Sequence, residues 1–276
     1  MYFTPNLSLL WASLPLAGRF EQAAAAGFRA VELWWPGDEA ARALPGLAAK
    51  TGLRVALLNF DGGDLAAGQR GLAADPRRRG ELRAHVPEAL AIARDCGCAR
   101  LNLLVGQRLR GYSRGQQLAY AQDNVTWAAD RAAAAGCEVT IEALSPATSG
   151  DCLLTTTAAA AAFIAGTGRR NVRLQYDAFH MQQTEGNLTA TIDAHWDLIG
   201  HIQIADVPGR HEPGTGEINY RYLLRYLGGR GYSGAVGLEY VPSGGPDGAA
   251  LDWLAGYGWS PDHGWRAGRA GPSNRR

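Results

Sequence analysis

Cys137-Glu-Val-Thr-Ile-Glu142 is a β-branched run that ends on a carboxylate, and three later segments repeat the design: Val172-Arg-Leu-Gln-Tyr-Asp177, His201-Ile-Gln203 and Ala235-Val-Gly-Leu-Glu239. Each is short and apolar enough for a strand, and each closes on an oxygen donor. Glu142, Asp177, Gln203 and Glu239 are spaced by about one strand–helix repeat. If consecutive parallel strands close into a barrel, their C-terminal ends face one mouth, where these four side chains could surround a single divalent cation.

Outward from this stretch, short β-rich runs alternate with longer Ala-rich stretches of helical period, the pattern of repeated βα units with a parallel sheet. Eight strands are expected, at Thr4–Leu9, Ala30–Trp34, Arg54–Asn59, Arg100–Val105, Glu138–Glu142, Arg173–Asp177, His201–Ala205 and Ala235–Tyr240. The intervening helices are expected near Leu16–Ala26, Glu39–Thr51, Gly80–Cys96, Arg114–Ala135, Thr155–Gly166, Leu188–Asp193, Tyr220–Gly229 and Gly248–Gly256. This count predicts an α/β fold of the (β/α)8 type, a single barrel domain over residues 1–257. The loop Phe60–Pro76 is long and follows a strand, so it should overhang the mouth. Residues 258–276 lose all periodicity and are expected to form a disordered tail.

A chain of 276 residues with 46% apolar residues can bury one large core. Its 27 basic and 26 acidic residues leave a net charge of +1 and no basic stripe, which favours a small-molecule substrate over nucleic acid. Met1–Leu10 lacks a basic region followed by a long apolar run, and no segment approaches the roughly 18 apolar residues that span a bilayer. A cytoplasmic protein without a membrane partner is expected. Cys96, Cys98, Cys137 and Cys152 lack zinc-site spacing and read as structural thiols. The lone lysine, Lys50, precedes the third strand and so belongs on the rim opposite the mouth, where a Schiff-base lysine would be misplaced.

Each candidate donor has two readings. Glu142 faces the mouth either as a metal ligand or as a carboxylate paired with a neighbouring arginine. Asp177 opens Asp-Ala-Phe-His180 and either binds metal or caps the next helix. His180, three residues beyond that strand end, either reaches substrate from the rim or is a hydrogen-bonded loop residue. Gln203 offers a neutral amide oxygen suited to a hard cation such as Mg²⁺ or Mn²⁺, or else is satisfied inside the barrel. Glu239 adds a second glutamate, and two glutamates on nonadjacent strands can flank a substrate, one removing a proton from carbon and the other returning it. The Gly- and Pro-rich loop from Asp206 to Asn219 carries Arg210, a bidentate clamp for a substrate carboxylate or a partner of Glu212 or Glu217. Asn102 and Glu212 complete the expected substrate-binding set with His180 and Arg210.

At these residues the chain resembles the hydroxypyruvate isomerase family, within the xylose-isomerase-like TIM barrels that also include ketose 3-epimerases and endonuclease IV. The resemblance is carried by Val31-Glu32-Leu33-Trp34, Ile141-Glu142-Ala-Leu-Ser, Tyr176-Asp177-Ala-Phe-His180-Met-Gln, the stretch from His201 to Asn219, and Gly237-Leu-Glu239-Tyr-Val-Pro, and it covers about Leu7 to Ala255. It implies a divalent-metal isomerase with Glu142, Asp177, Gln203 and Glu239 as ligands and the two glutamates as acid and base. It also implies that His180 contacts the hydroxyl being rearranged and Arg210 the polar end of a short hydroxy-oxo acid. The epimerases carry histidine where this chain has Gln203, which suggests the branch acting on acids, hydroxypyruvate or a longer acid such as 2-oxotetronate. Leu144-Ser145-Pro146 departs from the Pro-Leu-Asn expected after the strand-five glutamate. A nonenzymatic sugar-acid sensor and a DNA-repair endonuclease are the competing functions on this fold; the first needs only one of the two glutamates, and the second needs more histidine and a basic groove. Trp11, Trp34 and Trp35, near strand ends, could line the pocket, pack in the core or meet a second copy in a homo-oligomer.

Overall fold

The computed structural model describes residues 1–246 and 248–260, and the backbone of 264–265. Eight parallel strands, β1 (Tyr2–Pro5), β2 (Ala30–Leu33), β3 (Arg54–Asn59), β4 (Arg100–Asn102), β5 (Glu138–Glu142), β6 (Val172–Asp177), β7 (Ile199–Ile204) and β8 (Ala235–Leu238), form one sheet. Its order runs β1-β8-β7-β6-β5-β4-β3-β2. Asn6 and Glu32 make a parallel bridge across the remaining gap, and the Leu7 amide donates to Glu32 O at 2.8 Å. The sheet thereby curls into a (β/α)8 barrel, as the alternation of segments predicts. The strands are nearly continuous in apolar burial because helices cover one face and side chains fill the other.

Sequence boundaries hold for most elements, and the exceptions have local causes. β1 ends at Pro5 instead of Leu9 because Asn6 turns the chain, its side-chain oxygen accepting the Ser8 amide at 3.0 Å. A helix not expected from sequence, Ala178–Thr184, follows β6 without a loop, since the Asp177 carboxylate accepts the Phe179 amide at 2.8 Å and caps it. The helix Arg114–Ala134 begins at a capping box formed by Ser113 and Gln116. Lys50 is exposed at the end of the helix before β3 and pairs with Glu21 at 2.7 Å, away from the mouth. Past the expected end of the barrel, Trp259–Ser260 and Gly264–Trp265 pair as a short antiparallel ribbon, with Trp259 stacked on Phe28 at 5.0 Å. The rest of the expected disordered tail, 261–263 and 266–276, lies outside the described residues. Among the described residues, no helix is long and apolar enough to cross a membrane.

The barrel interior is not wholly apolar. Thr4, Glu32, Asn102, Thr140, Gln175, His201 and Gln203 are all buried there. They are linked to one another: Glu32 accepts from Thr4 (3.0 Å), Gln203 (2.8 Å) and Asn6 (3.4 Å), and pairs with His201 Nε2 at 2.8 Å, while His201 Nδ1 has no partner among the described residues. Gln175 donates to Gln203 Oε1 at 2.7 Å and to Glu142 Oε2 at 3.1 Å, so the layer runs unbroken from Glu32 to the mouth. Gly237 has no room for a side chain, because a Cβ there would stand 2.3 Å from Glu32 Oε1.

Candidate active site

The C-terminal ends of β5, β6 and β8 deliver Glu142, Asp177 and Glu239 to the barrel mouth, all three buried. Register explains the convergence, for Glu142 lies beside Gln175, Asp177 beside Gln203, and Gln203 beside Gly237, two residues before Glu239. Glu142 and Glu239 border a cavity of about 390 Å³, whose lining also includes Trp34, Asn59, Arg70, His180 and Arg210. Leu65, Leu104 and Leu144 form an apolar wall on it. Leu65, Ala66 and Arg70 all come from the loop Phe60–Pro76, which therefore overhangs the mouth as its length and position predict.

Each carboxyl group is held by one or more donors. Asn102 Nδ2 and Gln175 Nε2 both reach Glu142 Oε2 at 3.1 Å, leaving Oε1 buried without a hydrogen bond. Asp177 divides its work: one oxygen caps the following helix, while Oδ2 is buried with no hydrogen-bond partner. Glu239 is the most heavily engaged, with Oε1 accepting from Trp34 Nε1 (2.6 Å) and Asn6 Nδ2 (3.0 Å) and Oε2 from Arg210 Nη2 (2.5 Å). Arg210 Nη2 also lies 3.5 Å from Asp177 Oδ2, and its guanidinium sits over the Phe179 ring at 5.2 Å. Burial, then the Glu239 and Asp177 charges, push the Glu142 carboxyl well above the usual carboxylate range. Burial likewise raises Asp177 and Glu239, with Arg210 pulling each of them back.

These observations form a test of metal fit. One guanidinium, that of Arg210, lies against two of the three buried carboxylates, Asp177 and Glu239, so full ionisation of all three leaves an excess of two negative charges. Glu142 Oε1 and Asp177 Oδ2, the two orphans just named, lie 3.9 and 3.6 Å from the same atom, His180 Nε2, and so stand together at the mouth. The pocket fits a divalent cation.

His180 stands 3.6 Å from Asp177 Oδ2 and 3.9 Å from Glu142 Oε1 through Nε2, but its other nitrogen decides its role. Nδ1 accepts the backbone N–H of Ser145 at 3.2 Å and so carries no proton. The neutral ring therefore holds its proton on Nε2, facing the carboxylates, and is a donor there instead of a lone-pair ligand. Burial, then the Arg210 and Arg70 charges, depress its basicity well below the ordinary range, which keeps the ring neutral.

The structure gathers Glu142, Asp177, Glu239, His180 and Arg210 in one place. Gln203 is buried just beneath them, Oε1 accepting from Gln175 and Nε2 donating to Glu32. Asn102 stands behind Glu142 and braces it from below the cavity. Glu212 is not brought to the cavity; its carboxylate is spent on the Ser243 amide (3.0 Å) and hydroxyl in the neighbouring loop. Of the tryptophans, Trp34 lines the cavity, Trp35 packs edge-on against His85 at 4.5 Å, and Trp11 is buried in the core. Four functional neighbours escaped sequence reading: Asn6, Arg70, Ser145 and Gln175. Gln175 alone left a signal, a polar residue inside an apolar strand.

The model of the xylose isomerase-like TIM barrel family matches residues 20–257, and the chain belongs to that family. The hydroxypyruvate isomerase of Escherichia coli is 40% identical over 255 residues, 92% of this chain and 98% of that protein. The 2-oxo-tetronate isomerase of Haemophilus influenzae is 37% identical over 255 residues, again 92% and 98% of the two chains. A crystal structure described as AP endonuclease, family 2, from Brucella melitensis superposes with a TM-score of 0.87 at 36% identity, covering 93% of this chain and 99% of that one. The protein is an isomerase.

Proposed function

We propose that the protein interconverts hydroxypyruvate and tartronate semialdehyde, using Glu142 and Glu239 as its acid and base and a bound Mg²⁺ or Mn²⁺. The observation that carries this reading is the pair of buried, oppositely braced glutamates on β5 and β8 bordering one cavity. One of them removes a proton from the hydroxymethyl carbon, giving an enediolate; the other delivers a proton to the adjacent carbon, while the hydroxyl proton passes from the terminal oxygen to its neighbour. Atoms and electrons balance without a redox partner.

Glu142, Asp177 and Glu239 would hold the cation, with Gln203 Oε1, whose second lone pair is not needed by Gln175, as a fourth oxygen. When bound, the cation would stabilise negative charge on the substrate oxygens. His180 offers its Nε2–H to the rearranging oxygen, a donor whose orientation is fixed by Ser145. Trp34, just past β2, and Asn6, just past the neighbouring β1, hold Glu239 in place.

A four-carbon substrate, 2-oxotetronate, is the second reading, favoured by the relative of that name and by a cavity with room beyond three carbons. The endonuclease reading is weaker here, since one histidine joins the carboxylates and the net charge of +1 supplies no phosphate-binding groove. Protein stripped with EDTA, reloaded with Mg²⁺ or Mn²⁺ and given hydroxypyruvate in deuterated water should turn over only with metal and place deuterium in the product. Absence of deuterium with hydroxypyruvate and with 2-oxotetronate would end the isomerase assignment for short acids.

A further inference from the structure

We propose that Arg70, and not Arg210, binds the carboxylate of the substrate, which makes it the residue that selects acids over neutral sugars. This rests on the short-acid isomerase reading above. Arg210 looks like the natural clamp from sequence, but in the structure its guanidinium already serves Glu239 through Nη2 at 2.5 Å and through the backbone carbonyl at 3.3 Å, with Asp177 at 3.5 Å. A substrate carboxylate there would have to compete with two buried protein carboxylates for one guanidinium.

Arg70 lines the same cavity and meets no carboxylate among the described residues. Its Nη1 donates to Leu65 O at 2.9 Å and Gln69 O at 2.7 Å, which fixes the plane of the guanidinium. Both hydrogens of Nη1 are thereby used, whereas Nε and Nη2 donate to no acceptor among the described residues. Those two nitrogens form the side-on edge that grips a carboxylate with two parallel bonds, as Arg77 grips Asp75 elsewhere in this chain through Nε (2.9 Å) and Nη2 (2.7 Å).

The loop that carries Arg70 is built to hold it still. Gly71 donates to Gly62 O at 2.8 Å, closing the loop on itself, and Ala74 donates to Val105 O at 2.9 Å. Gly71 adopts φ 111°, and a Cβ there would stand 2.0 Å from Leu104 O, so the backbone beside Arg70 lies directly on the segment following β4. Leu65, Leu104 and Leu144 form an apolar wall on the same cavity.

The test is calorimetric titration of the Mg²⁺-loaded protein with D-glycerate, a three-carbon hydroxy acid with no carbonyl to isomerise, beside the neutral triose dihydroxyacetone. Arg70→Gln is expected to weaken glycerate about 10- to 100-fold, the loss of one charge-assisted bidentate pair, while dihydroxyacetone binds as before. Arg70→Lys, which keeps the charge without the fork, should fall between. In turnover, Arg70→Gln should raise KM for hydroxypyruvate by a similar factor and leave kcat within about threefold, as expected when binding energy is lost equally from ground and transition states. Equal glycerate affinity in parent and Arg70→Gln protein, glycerate binding to neither, or parallel loss of both ligands would overturn the assignment. Failure of the isomerase reading looks different: glycerate still binds through Arg70, but deuterium enters no short 2-oxo acid.

Discussion

Gly237→Ala is the most exacting test of the barrel interior. The new Cβ would lie 2.3 Å from Glu32 Oε1, 2.4 Å from Oε2 and 2.5 Å from Cδ. Since comfortable non-bonded contact begins near about 3.5 Å, the carboxyl must retreat by roughly 1 Å or β8 must move outward. Glu32 is fully buried and held by Thr4, Asn6, His201 and Gln203, so it cannot retreat without breaking at least two of these bonds. At about 1–3 kcal/mol for each buried polar group left unpaired, the expected destabilisation is about 2–6 kcal/mol. Asn6 bridges Glu32 and Glu239, and Gln203 bridges Glu32 and Gln175, so the displacement reaches the carboxylates at the mouth. A shift of this size in catalytic geometry costs up to about 10²-fold in rate. Urea unfolding followed by circular dichroism measures the first effect and kcat the second. Glu32→Asp, one methylene shorter, makes room for the added methyl, so the double variant should be more stable than Gly237→Ala alone. A Gly237→Ala protein within about 1 kcal/mol of the parent and with the parent's kcat would refute the tight floor under the site.

Other consequences can be checked with less effort. Glu142→Gln and Glu239→Gln should each lower deuterium exchange by more than the about 10²–10⁴-fold of a lone acid/base group, because each also weakens Mg²⁺ or Mn²⁺ binding in calorimetry; normal metal affinity with normal exchange in either would contradict the assigned roles. Trp34→Phe removes the 2.6 Å bond to Glu239 and should cost about 1.5–3 kcal/mol in transition-state stabilisation, seen as a roughly 10- to 100-fold lower kcat/KM. In ¹⁵N spectra His180 should remain neutral with its proton on Nε2 at about pH 6, below its ordinary midpoint near 6.5, because burial and the two arginines disfavour the charged ring; a protonated ring or an Nδ1–H tautomer would show that the Ser145 amide does not set its state. The four cysteines are buried and free, and burial pushes Cys96 and Cys152 up to about 11 and Cys98 up to about 12. Native protein should therefore resist a thiol-specific disulfide reagent at about pH 8 and react fully only in denaturant.

The barrel and its carboxylates were legible in the sequence because both signals are local. A β-branched run betrays a strand, the Ala-rich stretch after it betrays a helix, and the repetition of the pair fixes the architecture. Glu142, Asp177 and Glu239 could be found because each stands where a strand runs out, and such positions share one rim in a parallel barrel. The helix after Asp177 was missed because its start depends on a single side-chain cap with no loop before it.

Roles that depend on a partner distant along the chain belong to the tertiary structure alone. Arg210 and Glu239, or Trp34 and Glu239, are strangers until the barrel closes, and so nothing local announced that the expected clamp on substrate is already bound to protein. Glu32, visible only as a charge inside an apolar strand, becomes the floor of the site through contacts with β1, β7 and β8. The tautomer of His180 hangs on one backbone amide brought over from the end of β5. Sequence determined which elements form and which oxygens reach the mouth, since period and propensity act over a few residues. Closure of the sheet decided which of those groups remain free for chemistry, since hydrogen bonding and charge pairing depend on distances that only the folded chain sets.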